Sequence, residues 1–170
     1  MKKLLVVVDM QNDFVTGCLG TKEAQEITTA VAEYVKSFDG DVVFTQDTHD
    51  ENYMDTQEGK KLPVPHCLKG SEGWKIVPQL LPYAEKAKVF EKPVFGSTEL
   101  ASFVAGSDYE EVTLIGVCTG ICVLSNAVLL KAFAPQVPVK VIAELCACVT
   151  PQSHETALAA MATCQVDIVR

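Results

Sequence analysis

Short runs of β-branched residues alternate along the chain with longer segments of helical periodicity. The runs consist almost entirely of Val, Ile and Leu, which is typical of strands buried on both faces of a parallel sheet. Strands and helices that alternate in this way predict a doubly wound α/β fold with right-handed crossovers. The six predicted strands are Lys3–Val8, Asp41–Gln46, Lys88–Glu91, Val112–Val117, Val139–Ala143 and Val166–Val169.

Helical segments fill most of the intervals between these runs. Thr150 and Pro151 are typical of an N-cap followed by proline at the first helical position, and Pro82 is expected to end the second helix. A chain of 170 residues has the length of one domain. We therefore expect residues 1–170 to form a single domain, with a mostly parallel six-stranded sheet and helices on both faces. The predicted helices are Lys22–Ser37, Ile76–Leu81, Thr98–Ala105, Gly120–Phe133 and Gln152–Thr163.

Charge and cysteine content narrow the possible partners and the location. A formal net charge of −8 argues against a nucleic-acid surface, which needs clustered Lys and Arg. No apolar stretch approaches the roughly 20 residues of a membrane helix, and the apolar run Leu4–Val8 is too short for an export signal. Seven cysteines, an odd number, indicate free thiols in a reducing cytoplasm. We expect a cytoplasmic protein whose partner is a small molecule.

Polar residues follow the predicted strands where each one ends. Ligands of open α/β sheets bind outside the carboxyl ends of the strands, so these side chains are expected to meet at one edge. Each residue could instead have no catalytic role: Asp9 could accept hydrogen bonds from loop amides, and Lys92 could be an ordinary solvated lysine. Their convergence favours a site. The residues concerned are Asp9, Asp47 with His49, Lys92, and Cys118 with Cys122.

Cys122 lies where a buried strand passes through two glycines into a helix. The positive end of a helix dipole lowers the pKa of a thiol, and the same turn presents backbone N–H groups that could hold an oxyanion. An isolated cysteine in an apolar helix is more often inert packing, but the neighbouring Asp9 and Lys92 favour a nucleophile. By position alone, Cys118 could equally be the nucleophile.

Two of the three histidines lie in the long polar stretch 47–74, where helical or strand periodicity is absent. Asp47 and His49 are two residues apart on an extended segment and so point the same way. With His66 they form a ligand set that suits a divalent metal, Zn foremost, with Fe or Mn also acceptable. Glu58 is a further candidate ligand. The alternative to a metal site is a pair of surface histidines in a polar loop.

Together these segments resemble a known family, the isochorismatase-like cysteine hydrolases, and within it the nicotinamidase/pyrazinamidase branch. Several motifs in sequence order are more specific than any one alone, and the likeness extends almost to the C-terminus through Ala147–Pro151 and His154–Leu158. The motifs that carry it are Val8–Phe14 (VDMQNDF), Asp47–His49 (DTH), Pro65–Gly70 (PHCLKG), Lys92 and Gly116–Val123 (GVCTGICV).

The resemblance implies an isochorismatase-like fold, a small carboxamide substrate and, as in many members, a homo-oligomer. It implies a cis peptide before Cys118, a Glu that some members add to the metal ligands, and aromatic walls for a flat ring. The chain departs from many nicotinamidases at Thr48, where they have Trp. The implied roles are catalysis by Asp9, Lys92 and Cys122, an oxyanion hole from the N–H groups of Cys118 and Cys122, metal binding by Asp47, His49, His66 and Glu58, and ring contacts from Phe14 and Phe95.

The predicted function is hydrolysis of nicotinamide, or a close analogue, to the acid and ammonia through a thioester on Cys122, as part of NAD metabolism. A related amidohydrolase that acts on a carbamoyl or ureido group without a metal is the nearest alternative. A non-catalytic α/β module is a different class of function. It would use its thiols for redox sensing, through Cys118 and Cys122, or its histidines for metal binding.

Overall fold

The computed structural model describes residues 1–170. Its six strands form one sheet in the order β3-β2-β1-β4-β5-β6. Every neighbouring pair of strands is parallel. This confirms the predicted α/β fold and its doubly wound connectivity, in which the strand order reverses beside the first strand. The strands are β1 (Lys3–Val8), β2 (Asp41–Asp47), β3 (Lys88–Lys92), β4 (Glu111–Val117), β5 (Val139–Ala147) and β6 (Asp167–Val169).

The central strand β1 divides the apolar core into two layers. Its side chains alternate, so that Leu4 and Val6 belong to one layer while Leu5 and Val7 belong to the other. All four side chains are fully buried. This explains why the sequence of β1 is apolar without alternation: both of its faces are covered.

Helices cover both faces of the sheet, as predicted. The layer that contains Leu5 packs against α2, and the layer that contains Leu4 packs against α5, α6 and α7. None of the helices combines the length and the apolar content needed to cross a membrane. The helices are α1 (Asn12–Val15), α2 (Lys22–Ser37), α3 (Gln57–Lys61), α4 (Leu81–Ala84), α5 (Thr98–Ala105), α6 (Leu124–Phe133) and α7 (Pro151–Thr163), with a 3-10 turn at Tyr53–Asp55 and a π-helical turn at Thr119–Val123.

One predicted helix is wrong, and another begins later than expected. The segment predicted as helix 76–81 starts extended, because Ile76 bridges Gln11 and the Val77 N–H donates to the carbonyl of Met10. The helix that forms here is α4, and Pro82 lies in its first turn, where no N–H is needed. The segment predicted as helix 120–133 is divided into the π-helical turn and α6.

Three strands extend beyond their predicted ends. β2 and β3 each gain one residue, so that Asp47 pairs with Lys92 as the last register pair between them. β5 continues to Ala147 through Glu144, whose exposed side chain interrupts the apolar run without ending the strand. Its last register pair joins Val117 to Ala147. The strands therefore carry more of the polar residues to the edge of the sheet than the sequence indicated.

Gly116, near the end of β4, permits the closest approach between two strands. Its φ is +116°, and a Cβ atom built there would lie 2.2 Å from the carbonyl oxygen of Val8. L side chains rarely adopt such a φ, and backbone atoms of the central strand cannot move aside cheaply. This glycine sets how closely β4 lies beside β1.

We expect Gly116→Ala to lower the free energy of unfolding by at least about 2 kcal/mol. Gly106→Ala is the matched control, because the φ of Gly106 is −89° and the nearest atom to an added Cβ is 3.5 Å away. It should change stability by no more than about 1 kcal/mol. Urea unfolding of both variants measures the difference, and equal midpoints would contradict this account of the β1–β4 approach.

Candidate active site

The carboxyl ends of three strands, β1, β3 and β4, bring a carboxylate, an amine and a thiol together. Asp9 follows β1 with a φ of +49°, and Lys92 is the last residue of β3. Cys122 is the fourth residue of the π-helical turn that follows β4. All three are buried, with 0%, 1% and 6% of their surface exposed. The structure thus brings together the three residues for which the sequence predicted catalytic roles.

Lys92 is the centre of this group. Its Nζ lies 2.6 Å from Asp9 Oδ2, 3.3 Å from Asp47 Oδ1 and 3.6 Å from Cys122 Sγ, and it also donates to the carbonyl of Val94 at 3.1 Å. Burial lowers the pKa of a lysine, but the negative charges of Asp9 and Asp47 outweigh it and raise the pKa of Lys92. Lys92 is therefore a buried cation that contacts two carboxylates and a thiol at the same time.

The two oxygens of Asp9 have different surroundings. Oδ1 accepts a hydrogen bond of 2.6 Å from the hydroxyl of Thr45, on the neighbouring strand β2. Oδ2 lies close to the Lys92 ammonium, yet no group donates an aligned hydrogen bond to it. Burial raises the pKa of Asp9, the nearby charge of Asp47 raises it further, and Lys92 only partly offsets both. Oδ2 is thus a position that can accept and return a proton.

The pKa of Cys122 differs from the sequence expectation. Burial raises the pKa of its thiol, the carboxylate of Asp9 raises it further, and Lys92 only partly opposes them. The lowered pKa expected from the helix dipole is not found, because burial and the Asp9 carboxylate outweigh it. The resting thiol is protonated, and a base must remove its proton before it can attack.

A second group of side chains lies beside the first. Single ligand atoms of Asp47, His49, Glu58 and His66 all fall within 4.8 Å of one another. Asp47 Oδ2 is 2.9 Å from His49 Nε2 and 3.4 Å from His66 Nε2, and Glu58 Oε1 is 3.7 Å from both of these nitrogens. Ligands about 2.1 Å from a tetrahedral ion lie about 3.4 Å from one another. The spacing and the chemistry of these donors both fit a divalent metal.

Neighbouring groups set the tautomer of His66 and the ionisation state of Asp47, so that both can act as metal ligands. His66 Nδ1 lies 2.8 Å from the carbonyl of Val64, which can only accept, so Nδ1 carries the proton and Nε2 is left free as a ligand. Burial raises the pKa of a carboxyl, but the neighbouring imidazoles of His49 and His66 and the charge of Lys92 outweigh it and lower the pKa of Asp47. Asp47 also connects the two groups, since its other oxygen faces Lys92.

Two residues of the segment after β1, Gln11 and Asp13, hydrogen-bond to the backbone close to the candidate metal ligands. The sequence did not predict this role for Gln11. The Gln11 side chain accepts from the N–H of Asp47 at 2.8 Å and donates to the carbonyl of the same residue at 2.9 Å. Asp13 accepts from the N–H of Cys67, next to His66, at 2.8 Å. The only sequence signal for this bracing was the unusual polarity of the strand exit.

A cavity of about 430 Å³ opens onto both groups. Phe14 and Phe95, the two residues for which the sequence predicted ring contacts, both line it. Thr48 turns away, because its hydroxyl accepts a hydrogen bond of 2.9 Å from the indole of Trp74. Apolar side chains that were not predicted complete the walls, and the cavity is large enough for a small aromatic ligand. They are Leu19, Leu62, Ile121 and Val149.

The turn that carries Cys122 begins with a cis peptide bond between Val117 and Cys118. The carbonyl of Cys118 accepts hydrogen bonds from the N–H groups of Ile121 and Val123, both at 3.1 Å. Cys118 borders the cavity together with Cys122. The cis bond agrees with the expectation that the resemblance gave for this position.

The fold and the site define an α/β protein with its cavity at the point where the strand order of the sheet reverses, the position at which such folds bind small molecules. Residues 3–170 match the isochorismatase domain. The chain therefore belongs to the isochorismatase family.

Individual relatives support this assignment. The chain is 37% identical over 143 residues to the isochorismatase family protein PncA of Bacillus subtilis, which is 75% of this chain and 78% of that protein. The pyrazinamidase/nicotinamidase of Streptococcus mutans has a similar structure, with a TM-score of 0.86 and 27% identity over 99% of this chain and 100% of that one. The pyrazinamidase of Pyrococcus horikoshii, in complex with zinc, gives a TM-score of 0.83 and 28% identity over 100% and 99% of the two chains.

We expect Lys92→Met to destabilise the protein by about 3 kcal/mol or more, because two buried carboxylates lose their counter-charge. Without Lys92, burial leaves the folded-state pKa of Asp9 above its unfolded value. The native variant then binds more protons, so its stability falls as pH rises, and the deficit should be larger at pH 8 than at pH 5.

Urea unfolding at the two pH values measures this effect. Lys69→Met is the control, since Lys69 is an exposed lysine that pairs with Glu91 at 2.6 Å, and its loss should cost at most about 1 kcal/mol. Equal losses in the two variants at both pH values would show that Lys92 does not neutralise the buried carboxylates.

Proposed function

We propose that the protein is a metal-containing cysteine amidohydrolase. It converts a small carboxamide, nicotinamide or a close analogue, to the carboxylic acid and ammonia through a thioester. The observation that carries this proposal is the position of Lys92 Nζ, which lies within 3.6 Å of Asp9, Asp47 and Cys122 beside one cavity. Relatives that are named nicotinamidase and pyrazinamidase have the same fold over nearly the whole chain.

Asp9 acts as the base that activates the nucleophile. Its Oδ2 takes the proton of the Cys122 thiol, and the ammonium of Lys92 stabilises the anions that exist before and after this transfer. The thiolate then attacks the carbonyl carbon of the amide. The backbone N–H groups of Cys118 and Cys122 hold the resulting oxyanion, an effect worth about 3 kcal/mol for each donor.

The same carboxyl group completes the reaction. Asp9 gives its proton to the departing nitrogen, and ammonia leaves as the thioester forms. Asp9 then takes a proton from a water molecule that attacks the thioester, and the tetrahedral adduct collapses to the acid. The proton returns to the sulfur of Cys122. A carboxyl group whose pKa is raised by burial suits this alternation, because it holds a proton more readily than an ordinary aspartate does.

The substrate ring would lie between Phe14 and Phe95, with its carboxamide towards Cys122. We propose that Asp47, His49 and His66, with Glu58 as a fourth ligand, hold a divalent metal, and that this metal is zinc. A bound ion supplies Lewis acidity that can orient a ring nitrogen or a water molecule. A single hydrolase domain, a homo-oligomer, a cytoplasmic location and a place in NAD metabolism remain predictions from the sequence.

Cys122→Ala should lower the rate of ammonia release from nicotinamide by at least about 10³-fold, because no other group replaces the nucleophile. Cys164→Ala is the control, since Cys164 is an exposed free thiol away from the cavity. A coupled ammonia assay, run with nicotinamide, pyrazinamide and an N-carbamoyl amino acid, makes the comparison.

Turnover of the N-carbamoyl compound alone would favour the carbamoyl hydrolase, and no turnover of any amide would favour the non-catalytic module. Near-normal activity of Cys122→Ala would show that this thiol is not the nucleophile.

Metal content gives a separate test of the ligand set. His49→Ala and His66→Ala should each lose most of the bound zinc, measured by mass spectrometry of the metal after dialysis against a limiting free concentration. His154→Ala is the matched control, because the third histidine hydrogen-bonds Thr119 at 2.7 Å and lies outside the ligand group. Unchanged stoichiometry in the first two variants would remove the proposed metal site.

A further inference from the structure

Two cysteines other than Cys122 lie side by side where β4 and β5 end. Val117 and Ala147 are the last register pair of these strands, and Cys118 and Cys148 are the residues that follow them. Neighbouring strands are about 4.8 Å apart, which is inside the range of roughly 4.4–6.8 Å between the Cα atoms of a disulfide. Both thiols are free, and Cys118 is the group that most strongly lowers the pKa of Cys148. The two residues are therefore placed for a bond that the protein has not formed.

The polar groups nearest to its sulfur lower the pKa of Cys148. Cys118, followed by the Ser153 hydroxyl and the N–H groups of Gly120 and Val149, lowers this pKa to about 5, although burial opposes them. The neighbouring Cys148, together with burial, raises the pKa of Cys118. At neutral pH the pair thus consists of a thiolate and a thiol, which is the arrangement of a reactive cysteine beside a resolving one.

Cys148 and Cys122 are reached from different sides. Cys148 lines an open groove of about 580 Å³ that runs along the first turns of α7, and Cys122 does not border this groove. Cys118 instead borders the substrate cavity described above. The side chains of Ile121 and Val149 separate the two spaces and line both of them. A small reagent in this groove would therefore meet the exposed edge of Cys148, which is 5% of its surface, without passing Cys122.

The π-helical turn packs closely against Cys148 at Gly120. A Cβ built on Gly120 would lie 3.6 Å from Cys148 Sγ and 3.2 Å from the Cβ of Ala157 on α7. Cys148 and Cys122 are similarly buried, with 5% and 6% of their surface exposed, but Cys122 lies beside the Asp9 carboxylate, whereas Cys148 lies beside a second free thiol. Of the two thiols, the one at position 148 has the character of a reactive site for oxidants.

We propose that Cys148 and Cys118 form a second reactive thiol site, which a small hydroperoxide oxidises to a Cys118–Cys148 disulfide. The Cys148 thiolate attacks the peroxide oxygen, so that an S–O bond forms, the O–O bond breaks and hydroxide leaves. The Cys118 sulfur then attacks the sulfenic acid, an S–S bond forms, and the departing hydroxide takes the Cys118 proton as water. Two thiols and one hydrogen peroxide yield one disulfide and two waters. This site does not depend on the proposed amide hydrolysis.

The test is peptide mapping of the full-length protein after reaction with one equivalent of hydrogen peroxide. Remaining thiols are alkylated, and the protein is digested without reduction. We expect a linked peptide pair that contains Cys118 and Cys148 and that disappears on treatment with dithiothreitol. A Cys118–Cys122 link, or oxidation of Cys122 with Cys148 left free, would overturn the proposal.

Single variants test the order of the two steps. Cys148→Ser should lower the oxidation of Cys118 at least tenfold, whereas Cys164→Ser should leave the linked pair unchanged. Cys118→Ser should stop the reaction at the sulfenic acid, which dimedone traps on Cys148. Undiminished oxidation of Cys118 in the first variant, or dimedone on Cys122 rather than Cys148 in the last, would show that Cys148 is not the attacking thiol. None of these readouts requires that any amide be hydrolysed.

Discussion

A single buried ammonium, that of Lys92, holds the site together. Removing an ion of this kind from water costs several kcal/mol, and only well-placed opposite charges offset that cost. Asp9 at 2.6 Å and Asp47 at 3.3 Å provide those charges. Asp9 is itself buried and depends on Lys92 for its counter-charge, whereas His49 and His66 also help to keep Asp47 ionised. The three groups therefore define one electrostatic unit, and the Cys122 thiol lies at its edge.

The sheet is what makes this unit possible. Asp9, Asp47 and Lys92 lie at the carboxyl ends of three adjacent parallel strands, so the hydrogen-bonded register that joins the strands also sets the distances between the charges. Asp47 belongs to both parts of the site, because one of its oxygens faces Lys92 and the other faces the two histidines. In the proposed mechanism, metal ligation and nucleophile activation would share Asp47, whose backbone Gln11 holds at both polar groups.

Strand–helix alternation and polar residues at strand ends were enough to predict the fold and the meeting of Asp9, Lys92 and Cys122. Tertiary contacts decided the rest. The segment 76–81 has helical periodicity but bridges Gln11 in extended form, and the direction of the Cys122 pKa shift depends on burial inside a π-helical turn. Cys148 was not placed at the sheet edge, because the exposed Glu144 made β5 look shorter than it is.

The central claim is that Cys122 forms a covalent intermediate once Asp9 has removed its proton. Mass spectrometry of enzyme quenched during turnover of nicotinamide tests this claim most directly. The account predicts an acyl group on the Cys122 peptide of the wild-type protein, and none in Asp9→Asn, where the base is absent. Ammonia release that proceeds at the wild-type rate without any acyl adduct, or an adduct on another residue, would contradict it.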